Sequence, residues 1–221
     1  MTSDHAQLRA YADCRSPEVF AGIVKAYVDL VYSTALRQVR DRHLAEDVTQ
    51  AVFLLLSQKA GSVPGDRPVS AWLHRATCYV AANARRAELS RRKHENHVTP
   101  TTSSTDESEW DDLAPLLDAG VRSLKAEDRD AVLLRFFEKK SHREVAAALS
   151  VSEESAAKRV ARAVEKLRQF FRSHGLPITA STLALHMSAR TTEAAPLHSL
   201  KRSRSVIPRH HPHFSKELPS P

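Results

Sequence analysis

Apolar residues recur every three or four positions through most of the first 175 residues, which is the period of helices buried on one side. In the first such stretch, Ser16 and Pro17 provide an N-cap and a proline at the first helical position, and the predicted helix runs to about Arg40. Asp41 is placed to cap a second helix, which ends near Gly61. The positions predicted to face inward on these two helices are Phe20, Ile23, Val24, Tyr27, Val31, Leu36, Leu44, Val48, Ala51, Val52 and Leu55.

A glycine- and proline-rich loop separates these helices from a third, longer one. The loop is the stretch GSVPGDRPVS, from Gly61 to Ser70, whose two prolines and two glycines interrupt the helical pattern. The long helix begins near Val69, with Trp72 predicted in the core rather than on a stacking surface, and it ends in the basic segment RRAELSRRKHEN. Its other inward positions are Leu73, Ala76, Val80 and Ala84.

The helical period stops between Thr99 and Asp112, where no basic residue occurs, and this acidic segment is predicted to be a flexible linker. Periodicity resumes near Leu113 and continues to Gly175. Residues 176–221 are basic and rich in His and Pro, and we predict a disordered tail. The pattern therefore predicts an all-α protein with two small helical domains, residues 1–98 and 113–175, joined by the linker at residues 99–112.

The stretch SHREVAAALSVSEESAAKRVARAVEKLR, which starts at Ser141, has the pattern of two closely connected helices. Ser141 and Glu144 predict a capping box on the first helix, and Ser152 is placed to cap the second. The second helix has an apolar stripe at Ala157, Val160, Val164, Leu167 and Phe171, and an opposite face with Ser155, Lys158, Arg159, Arg162 and Lys166. This arrangement predicts a helix-turn-helix that reads DNA, although any amphipathic hairpin also has a solvated charged side.

Charge is distributed unevenly along the chain of 221 residues, whose formal net charge is +7. Residues 1–98 carry +4, residues 99–112 carry −5, residues 113–174 carry +4 and residues 175–221 carry +4. Two basic helical blocks separated by an acidic segment favour nucleic acid as the partner over a protein that is merely basic.

No residue pattern in the sequence supports catalysis, a resident metal ion or a cofactor. Cys14 and Cys78 are isolated, without a CxxC pair or a histidine at zinc spacing. His94 and His97 are close enough to share a metal, but their cationic segment would repel it. There is no glycine-rich phosphate loop and no activated nucleophile. Because the sequence shows no signal-peptide pattern and no apolar run of about 18 residues, we predict a cytoplasmic protein without membrane insertion.

The segment HLAEDVTQAVFLLL places acidic, amide and large apolar side chains on one flank of the second helix. With its apolar stripe facing inward, Asp47 and Gln50 are predicted on the outer flank, close to Phe53 and Leu54. Such a mixture is typical of a protein-docking surface, and the alternative is a solvated helix face.

Three motifs in this order resemble extracytoplasmic-function (group IV) sigma factors of bacterial RNA polymerase. AEDVTQAVF is similar to region 2.2, AWLHRATCYVAANARR to regions 2.3 and 2.4, and SHREVAAALSVSEESAAKRVARAVEKLR to the helix-turn-helix of region 4.2. Residues 16–95 and 113–172 therefore resemble regions 2 and 4, and the linker between them leaves no room for a region 3 domain.

The resemblance implies a promoter-specificity subunit rather than an enzyme. Region 2 would dock on the clamp helices of the β′ subunit of core RNA polymerase, region 4 would meet the β flap, and an anti-sigma factor is a further implied partner. The implied sites are Asp47, Gln50, Phe53 and Leu54 for core polymerase; Tyr79, Asn83, Arg85, Arg86, Arg91 and Arg92 for the melted −10 element; and Arg143, Ser155, Lys158, Arg159 and Arg162 for the −35 element. The loop from Gly61 to Ser70 would capture an unstacked base of the promoter.

The sequence departs from the family pattern at four positions. Ala51 and Val52 stand where the family has Glu and Thr, and Tyr79 and Asn83 stand where it has Asn and Asp, so the base read in the −10 element stays open. The alternative function is a two-domain helix-turn-helix regulator that acts without replacing the sigma subunit. In that protein, residues 16–95 would be a dimerisation or sensor domain.

Overall fold

The computed structural model describes residues 3–95, 108–191 and 193–196, and the regular elements in these ranges are all helical. The first domain contains α1 (Ser3–Cys14), α2 (Pro17–Val39), α3 (Arg42–Lys59), a short 3₁₀ turn (Ala60–Ser62) and α4 (Val69–Glu95). The second contains α5 (Ser108–Ser123), α6 (Ala126–Val132), a π-helical turn (Leu133–Phe137), α7 (His142–Leu149) and α8 (Glu153–Ser173), and α9 (Ala180–Arg190) follows it. The predicted all-α fold class is confirmed.

Side-chain caps set the boundaries of the first helices where the sequence predicts them. The Ser16 hydroxyl accepts the Val19 N–H at 3.3 Å at the start of α2, and the Asp41 carboxylate accepts the Leu44 N–H at 2.8 Å at the start of α3. Between the two helices, Arg40 adopts a left-handed conformation with a φ of 54°. This residue ends α2 and turns the chain directly into α3.

Helix α2 is the central helix of the first domain and packs against α1, α3 and α4. By length and apolar content it could cross a membrane, but 61% of its most apolar 18-residue window is buried within the protein. Lys25 and Asp29, both exposed, interrupt its apolar residues, whereas Val31 and Tyr32 are completely buried. These contacts make α2 a core helix of the domain.

In the second domain, α8 is the helix on which α5, α6 and α7 all pack. Helix α5 approaches α8 closely at Gly120, where a Cβ atom would lie 3.0 Å from the ring of Phe170 and 3.1 Å from Leu167. A larger residue there would require these two side chains to shift by a few tenths of an ångström, so glycine favours the close crossing. The π-helical turn between α6 and α7 buries Phe136 and Phe137.

Two element boundaries differ from the prediction. The sequence pattern does not predict α1, because few apolar residues precede Ser16, yet Leu8 and Tyr11 of this helix are buried against the rest of the domain. Helix α5 begins at Ser108, so the last five residues of the predicted linker are helical. Residues 99–107 lie outside the described residues.

The predicted disorder of the tail is wrong for the part of it that the structure describes. Thr179 accepts the Thr182 N–H at 3.1 Å and caps α9, and Leu183 and Met187 of this helix are buried. The three large apolar side chains among its 11 residues form too weak a stripe to predict a helix, and burial against α8 and the π-helical turn supplies the missing stabilisation. Residues 197–221, the rest of the predicted tail, lie outside the described residues.

The two domains pack against each other. Helix α5 contacts α2, and both α6 and the π-helical turn contact α4. A polar cluster lies within this interface: Asp118 of α5 is completely buried between Arg37 of α2 and His74 of α4.

Candidate nucleic-acid and polymerase interfaces

The predicted helix-turn-helix is formed by α7 and α8. Ser141 and Glu144 form the predicted capping box, with the Ser141 N–H donating to the Glu144 carboxylate at 2.8 Å. Ser150 ends α7 in a left-handed conformation, and Ser152 caps α8 through the Ser155 N–H at 3.2 Å. The buried stripe of α8 is Ala156, Val160, Ala163, Val164, Leu167 and Phe171, so Ala156 takes the inward place predicted for Ala157, which is half-buried.

Four of the five residues predicted for the −35 element are exposed: Arg143 on α7, and Ser155, Lys158 and Arg162 on α8. Ser155 and Lys158 lie in the first two turns of α8, and Arg143 lies in the first turn of α7. Lys158 forms an ion pair with Glu154 at 2.6 Å, and both side chains are about three-quarters exposed, at 76% and 77%. A pair this exposed contributes little to stability, so the ammonium group is available to a nucleic acid.

Arg162, also predicted to face the bases, is held against the second domain itself. Its guanidinium donates to Asp128 of α6 at 2.8 and 3.2 Å, and Lys166 donates to the same carboxylate at 2.6 Å. Burial raises the pKa of Asp128, but the hydrogen bonds from Arg162 and Lys166 lower it overall. These contacts hold α8 on α6, while the Arg162 side chain stays 56% exposed, so its role at the bases stays a prediction.

Arg159 differs from its prediction. The prediction directs its side chain outward, but the side chain is only 22% exposed and lies 3.6 Å from Glu127 of α6. The cause is the position of α6, which packs along α8 and covers one edge of its polar face. The exposed part of that face is therefore narrower than the sequence predicts.

Only some of the residues predicted for the docking flank of α3 are accessible to solvent. Asp47 is exposed, and Gln50 and Leu54 are half-buried. Phe53 is completely buried, so its predicted role as an exposed apolar anchor is wrong. Helix α3 packs against both α2 and α4, which buries a face wide enough to include Phe53.

Asp47 lines an open cleft of about 410 Å³ between the start of α3 and the second half of α4. Arg85, Glu88 and Leu89 form the α4 side of this cleft. Leu89 is 54% exposed, which makes it one of two large apolar side chains exposed to that extent in the described part of the chain. The structure thus places Asp47, predicted for polymerase docking, beside Arg85, predicted for DNA.

The remaining residues predicted for the −10 element lie along α4. Tyr79 and Asn83 are half-buried, and Arg85 and Arg86 are exposed. Arg86 donates a hydrogen bond to the Asn83 side chain, which engages the amide oxygen at that position. Arg91 and Arg92 belong to the last turns of α4, but their side chains lie outside what the structure describes.

The loop predicted to capture a base is bound to the second domain through Arg67. Its guanidinium donates to Asp130 at 2.7 and 3.1 Å and to the carbonyl of Ala126 at 3.1 Å. On the other side, the Arg67 carbonyl lies 2.6 Å from the ring nitrogen Nε2 of His5 in α1. The loop is therefore held between α1 and α6.

His74, Cys78 and Asp118 bring three possible metal ligands together, all buried and within 4.8 Å of one another. The Asp118 oxygens, however, already accept hydrogen bonds from Arg37 and Gln38, and His74 Nε2 lies 3.0 Å from one of them. A cation would have to displace the guanidinium of Arg37, so the arrangement is that of a closed polar cluster rather than an open metal site.

Burial and neighbouring groups shift the pKa values of Asp118 and His74 in this cluster. Burial raises the pKa of Asp118, but Arg37 and His74 lower it well below its usual range. Burial lowers the pKa of His74, but the neighbouring Cys78 and the hydrogen bond to Asp118 raise it to about 9. The cluster at neutral pH therefore consists of two cations around one buried carboxylate.

The sequence analysis missed the residues of this interface. Asp118 carries a detectable signal, because a carboxylate between Leu117 and Val121 interrupts an otherwise apolar face of α5. A charged residue on a core face requires a partner, and the partners lie on α2 and α4. Arg67 carries no such signal, because charged residues are common in loops.

A helical domain that ends in a basic segment, joined to a helix-turn-helix domain, is the architecture of a two-region transcription factor. The sequence matches Sigma-70 region 2 over residues 23–91 and Sigma-70 region 4 over residues 116–167. It is 32% identical over 160 residues to the RNA polymerase sigma factor CarQ of Myxococcus xanthus, a match that covers 69% of this chain and 88% of CarQ. The chain belongs to the sigma-70 family of RNA polymerase sigma factors, in its extracytoplasmic-function group.

Other relatives are more distant. The chain is 28% identical over 159 residues to the ECF RNA polymerase sigma factor SigE of Mycolicibacterium smegmatis, covering 69% of this chain and 61% of SigE. Among solved structures, CnrH in complex with the cytosolic domain of CnrY gives a TM-score of 0.39 at 19% identity, covering 78% of this chain and 99% of CnrH. RpoE of Bartonella quintana, in complex with the anti-sigma factor NepR, gives 0.31 at 17% identity, covering 67% of this chain and 94% of RpoE.

The family assignment decides between the two functions that the sequence left open. The chain is a sigma factor that works with core RNA polymerase and promoter DNA, and the two-domain regulator is not favoured. Sigma factors are soluble initiation factors without catalytic activity of their own.

Proposed function

We propose that this sigma factor acts in the cytoplasm, without catalysis, and reads the −35 element through the start of α8. The observation that carries this proposal is the exposure of Ser155 and Lys158 in the first two turns of that helix, with Arg143 on the neighbouring α7. In a helix-turn-helix, the N-terminal turns of the second helix enter the major groove. Arg143 is placed to bind phosphate.

The contacts between α6 and α8 support this orientation. Arg162 and Lys166 both bind the buried Asp128, which has 2% of its side chain exposed. A recognition helix held by three charge-assisted hydrogen bonds presents its free face at a fixed angle, and this rigidity favours discrimination between bases. We therefore assign Arg162 to the positioning of α8 and retain Ser155 and Lys158 as the base-facing residues. Arg159 lies at the edge of that face and is placed to reach phosphate.

Helix α3 is the proposed docking surface for the β′ clamp helices of core polymerase. Asp47 is the exposed charge on this surface, with Gln50 and Leu54 half-buried beside it. Gln50 has a buried side-chain nitrogen without a hydrogen-bond partner among the described residues. Because this nitrogen is buried, a partner does not reach it directly, and Asp47 is the exposed polar contact of the surface. In the same complex, the second domain contacts the β flap.

The −10 element is assigned to α4 and to the loop that precedes it. Arg85 and Arg86, and with them Arg91 and Arg92, provide positive charge for the phosphates of the melted strand. Tyr79 and Asn83 lie one helical turn apart on the half-buried side of α4, in the middle of the helix, and are the residues proposed to contact bases.

Promoter-dependent run-off transcription tests the function as a whole. Core polymerase supplemented with the full-length protein should produce a defined transcript from a bacterial genomic promoter library, and core polymerase alone should not. A matched control is the Lys158→Ala variant, which should retain polymerase binding but produce less transcript. If the wild-type protein binds core polymerase and still gives no promoter-dependent product, the proposed function is wrong.

A further inference from the structure

The segment after the second domain, residues 176–191 and 193–196, forms specific contacts that the sigma-factor assignment does not explain. We call it the C-terminal segment. Its helix α9 packs on α8 and on the π-helical turn, with Leu183 and Met187 at most 1% exposed. At its end, Thr191 is completely buried, and its hydroxyl donates to the Phe136 carbonyl at 2.8 Å. These contacts bind the segment to the second domain.

The same segment also contacts the first domain. The Thr191 carbonyl accepts a hydrogen bond from Arg37 of α2 at 2.6 Å, and the Ala195 N–H donates to the Asp29 carboxylate, also on α2, at 2.9 Å. Glu193 lies 3.7 Å from Arg42 of α3. Thr191 therefore joins the two domains through one residue, because its hydroxyl binds the second and its carbonyl binds the first.

The C-terminal segment lies next to the other contacts between the domains. Arg37, which binds the Thr191 carbonyl, also binds the buried carboxylate of Asp118. Farther along the interface, Arg67 of the loop before α4 binds Asp130 of α6. A guanidinium shared between Thr191 and Asp118 couples the position of the segment to the position of α5 on the first domain.

We propose that the first and second domains together form a docking surface for the C-terminal segment of the same chain, and that its docking keeps the free sigma factor closed. The occupant is defined by the residues that it buries, Leu183, Met187 and Thr191, and by its contacts with Arg37 and Asp29. Three sets of contacts join the domains: those of the C-terminal segment, the Arg37–Asp118 pair and the Arg67–Asp130 pair. Release of the segment removes the first set and raises the fraction of molecules in which the two domains have separated.

The closed state is incompatible with full promoter binding, an argument that rests on the proposed function. The −35 and −10 elements are separate stretches of promoter DNA, and each helical turn of duplex between two such sites adds about 34 Å. Domains that share a buried ion pair cannot reach both elements at once. In addition, the loop before α4 is bound to α6 through Arg67, so the proposed capture of a base requires that contact to break. Asp47, in contrast, stays exposed in the closed state.

The first experiment measures closure directly in the full-length protein. A donor dye on the exposed Cys14 of α1 and an acceptor dye on the Ala147→Cys variant, exposed on α7, report the separation of the domains by energy transfer, while the buried Cys78 is protected. The test variant, Leu183→Asp with Met187→Asp, places charges at two buried positions of α9. The matched control, Leu185→Asp, places the charge on the same helix at a position that is 68% exposed.

Energy transfer should fall in the double variant and stay unchanged in the control. Binding of a single-stranded oligonucleotide with the −10 non-template strand of a promoter active in the run-off assay should tighten about five-fold or more, because apparent affinity scales with the fraction of competent molecules. Unchanged energy transfer in a folded double variant would overturn the proposal. If transfer falls while no variant, nor the wild type, binds the oligonucleotide, docking of the segment stands and the proposed −10 function fails.

A milder variant covers the case in which the double variant does not fold. Asp29→Ala removes the contact with the Ala195 N–H from an exposed position of α2, and Lys25→Ala, one turn earlier and also exposed, is its control. Asp29→Ala should lower energy transfer by a smaller amount than the double variant, and Lys25→Ala should not change it. Equal energy transfer in the two single variants and the wild type would contradict docking of the segment on α2.

Discussion

The guanidinium of Arg37 donates two hydrogen bonds to the carboxylate of Asp118, of 3.1 and 3.0 Å, although the two residues are 81 positions apart. Their side chains are 6% and 0% exposed. The pair joins α2 of the first domain to α5 of the second domain. A buried pair of this kind contributes little compared with apolar packing, but the loss of one partner leaves an uncompensated buried charge.

Substitution of Asp118 should therefore strongly destabilise the protein. The Asp118→Asn variant keeps the shape of the side chain but leaves Arg37 and His74 without a counter-charge. We expect the free energy of unfolding to fall by about 3–5 kcal/mol. Urea denaturation of the full-length protein, followed by circular dichroism, measures this loss. The control is Glu154→Gln, which breaks an exposed ion pair with Lys158 and should unfold like wild type. Equal stability of the two variants would show that Asp118 has no structural role.

The same cluster predicts a dependence of stability on pH. The pKa of His74 is raised from 6.5 to about 9, so its contribution is fully present below pH 6.5 and is lost as pH rises towards 9. The pKa of Asp118 is lowered, so its contribution is present above its ordinary pKa of 3.8 and is lost only as pH falls below that value. We expect stability to fall between pH 6.5 and 9, by an amount on the order of 3 kcal/mol.

Two variants identify the group responsible. The groups that face the His74 ring are Arg37 from α2, Cys78 from α4, Asp118 from α5 and the edge of Phe137, whose ring centroid is 5.6 Å away. Urea denaturation at several pH values should show a flatter profile for His74→Gln. Cys78→Ala should keep part of the slope, because Asp118 remains. A slope unchanged in His74→Gln would assign the pH dependence to another group.

The docking surface on α3 makes a separate prediction. Asp47→Lys should abolish or strongly weaken binding to core polymerase while the fold survives, because Asp47 is exposed and the new charge opposes the potential that the partner recognises. Gln58→Lys adds the same charge at an exposed position near the other end of α3 and should bind normally. A pull-down with core polymerase compares the two variants, and equal binding would remove Asp47 from the interface.

Phe53 should respond differently from Asp47. Because its side chain is completely buried, Phe53→Ala should create a cavity and lower the free energy of unfolding by about 3–5 kcal/mol. Thermal denaturation measures this effect without the polymerase. A variant with wild-type stability but weak polymerase binding would restore the role that the sequence suggested and contradict the position of the side chain.

Local signals explain which parts of the fold were predictable. Ser141, Glu144 and Ser152 act within their own helix turns, so the capping box and the helix-turn-helix follow from the sequence. The inward orientation of Phe53 depends on packing against two other helices, and a single motif cannot reveal how wide a buried face will be. The Arg37–Asp118 contact depends on how two domains pack, which no periodic pattern encodes.

The candidate sites also contain features that local sequence predicts and features that depend on tertiary contacts. The order of the three motifs predicted the family, because motif similarity needs no knowledge of tertiary contacts. The state of each basic side chain on α8 needed such knowledge, since Arg162 has a buried partner on α6 and Lys158 has only an exposed one. Two residues of equal charge, four positions apart on one helix, therefore have different surroundings, and we propose different roles for them.

Alanine variants of Lys158 and Arg162 test whether the two residues have different roles. Lys158→Ala should leave the melting temperature unchanged, because its ion pair with Glu154 is exposed. If Lys158 contacts a base, the variant should lose about 1–3 kcal/mol of binding free energy at the preferred −35 sequence and relax the preference at one or two base pairs. Arg162→Ala should instead lower the melting temperature, because Asp128 loses one of its two partners, and it should weaken transcription uniformly.

Transcription from a set of single-base −35 variants, combined with thermal denaturation, separates these outcomes. A changed rank order with Lys158→Ala and an unchanged one with Arg162→Ala supports base reading by the first residue and positioning by the second. A uniform loss with Lys158→Ala places its ammonium on phosphate, because phosphate contacts carry no sequence information. A changed rank order and a wild-type melting temperature with Arg162→Ala would mean that this guanidinium leaves Asp128 and enters the groove when DNA binds.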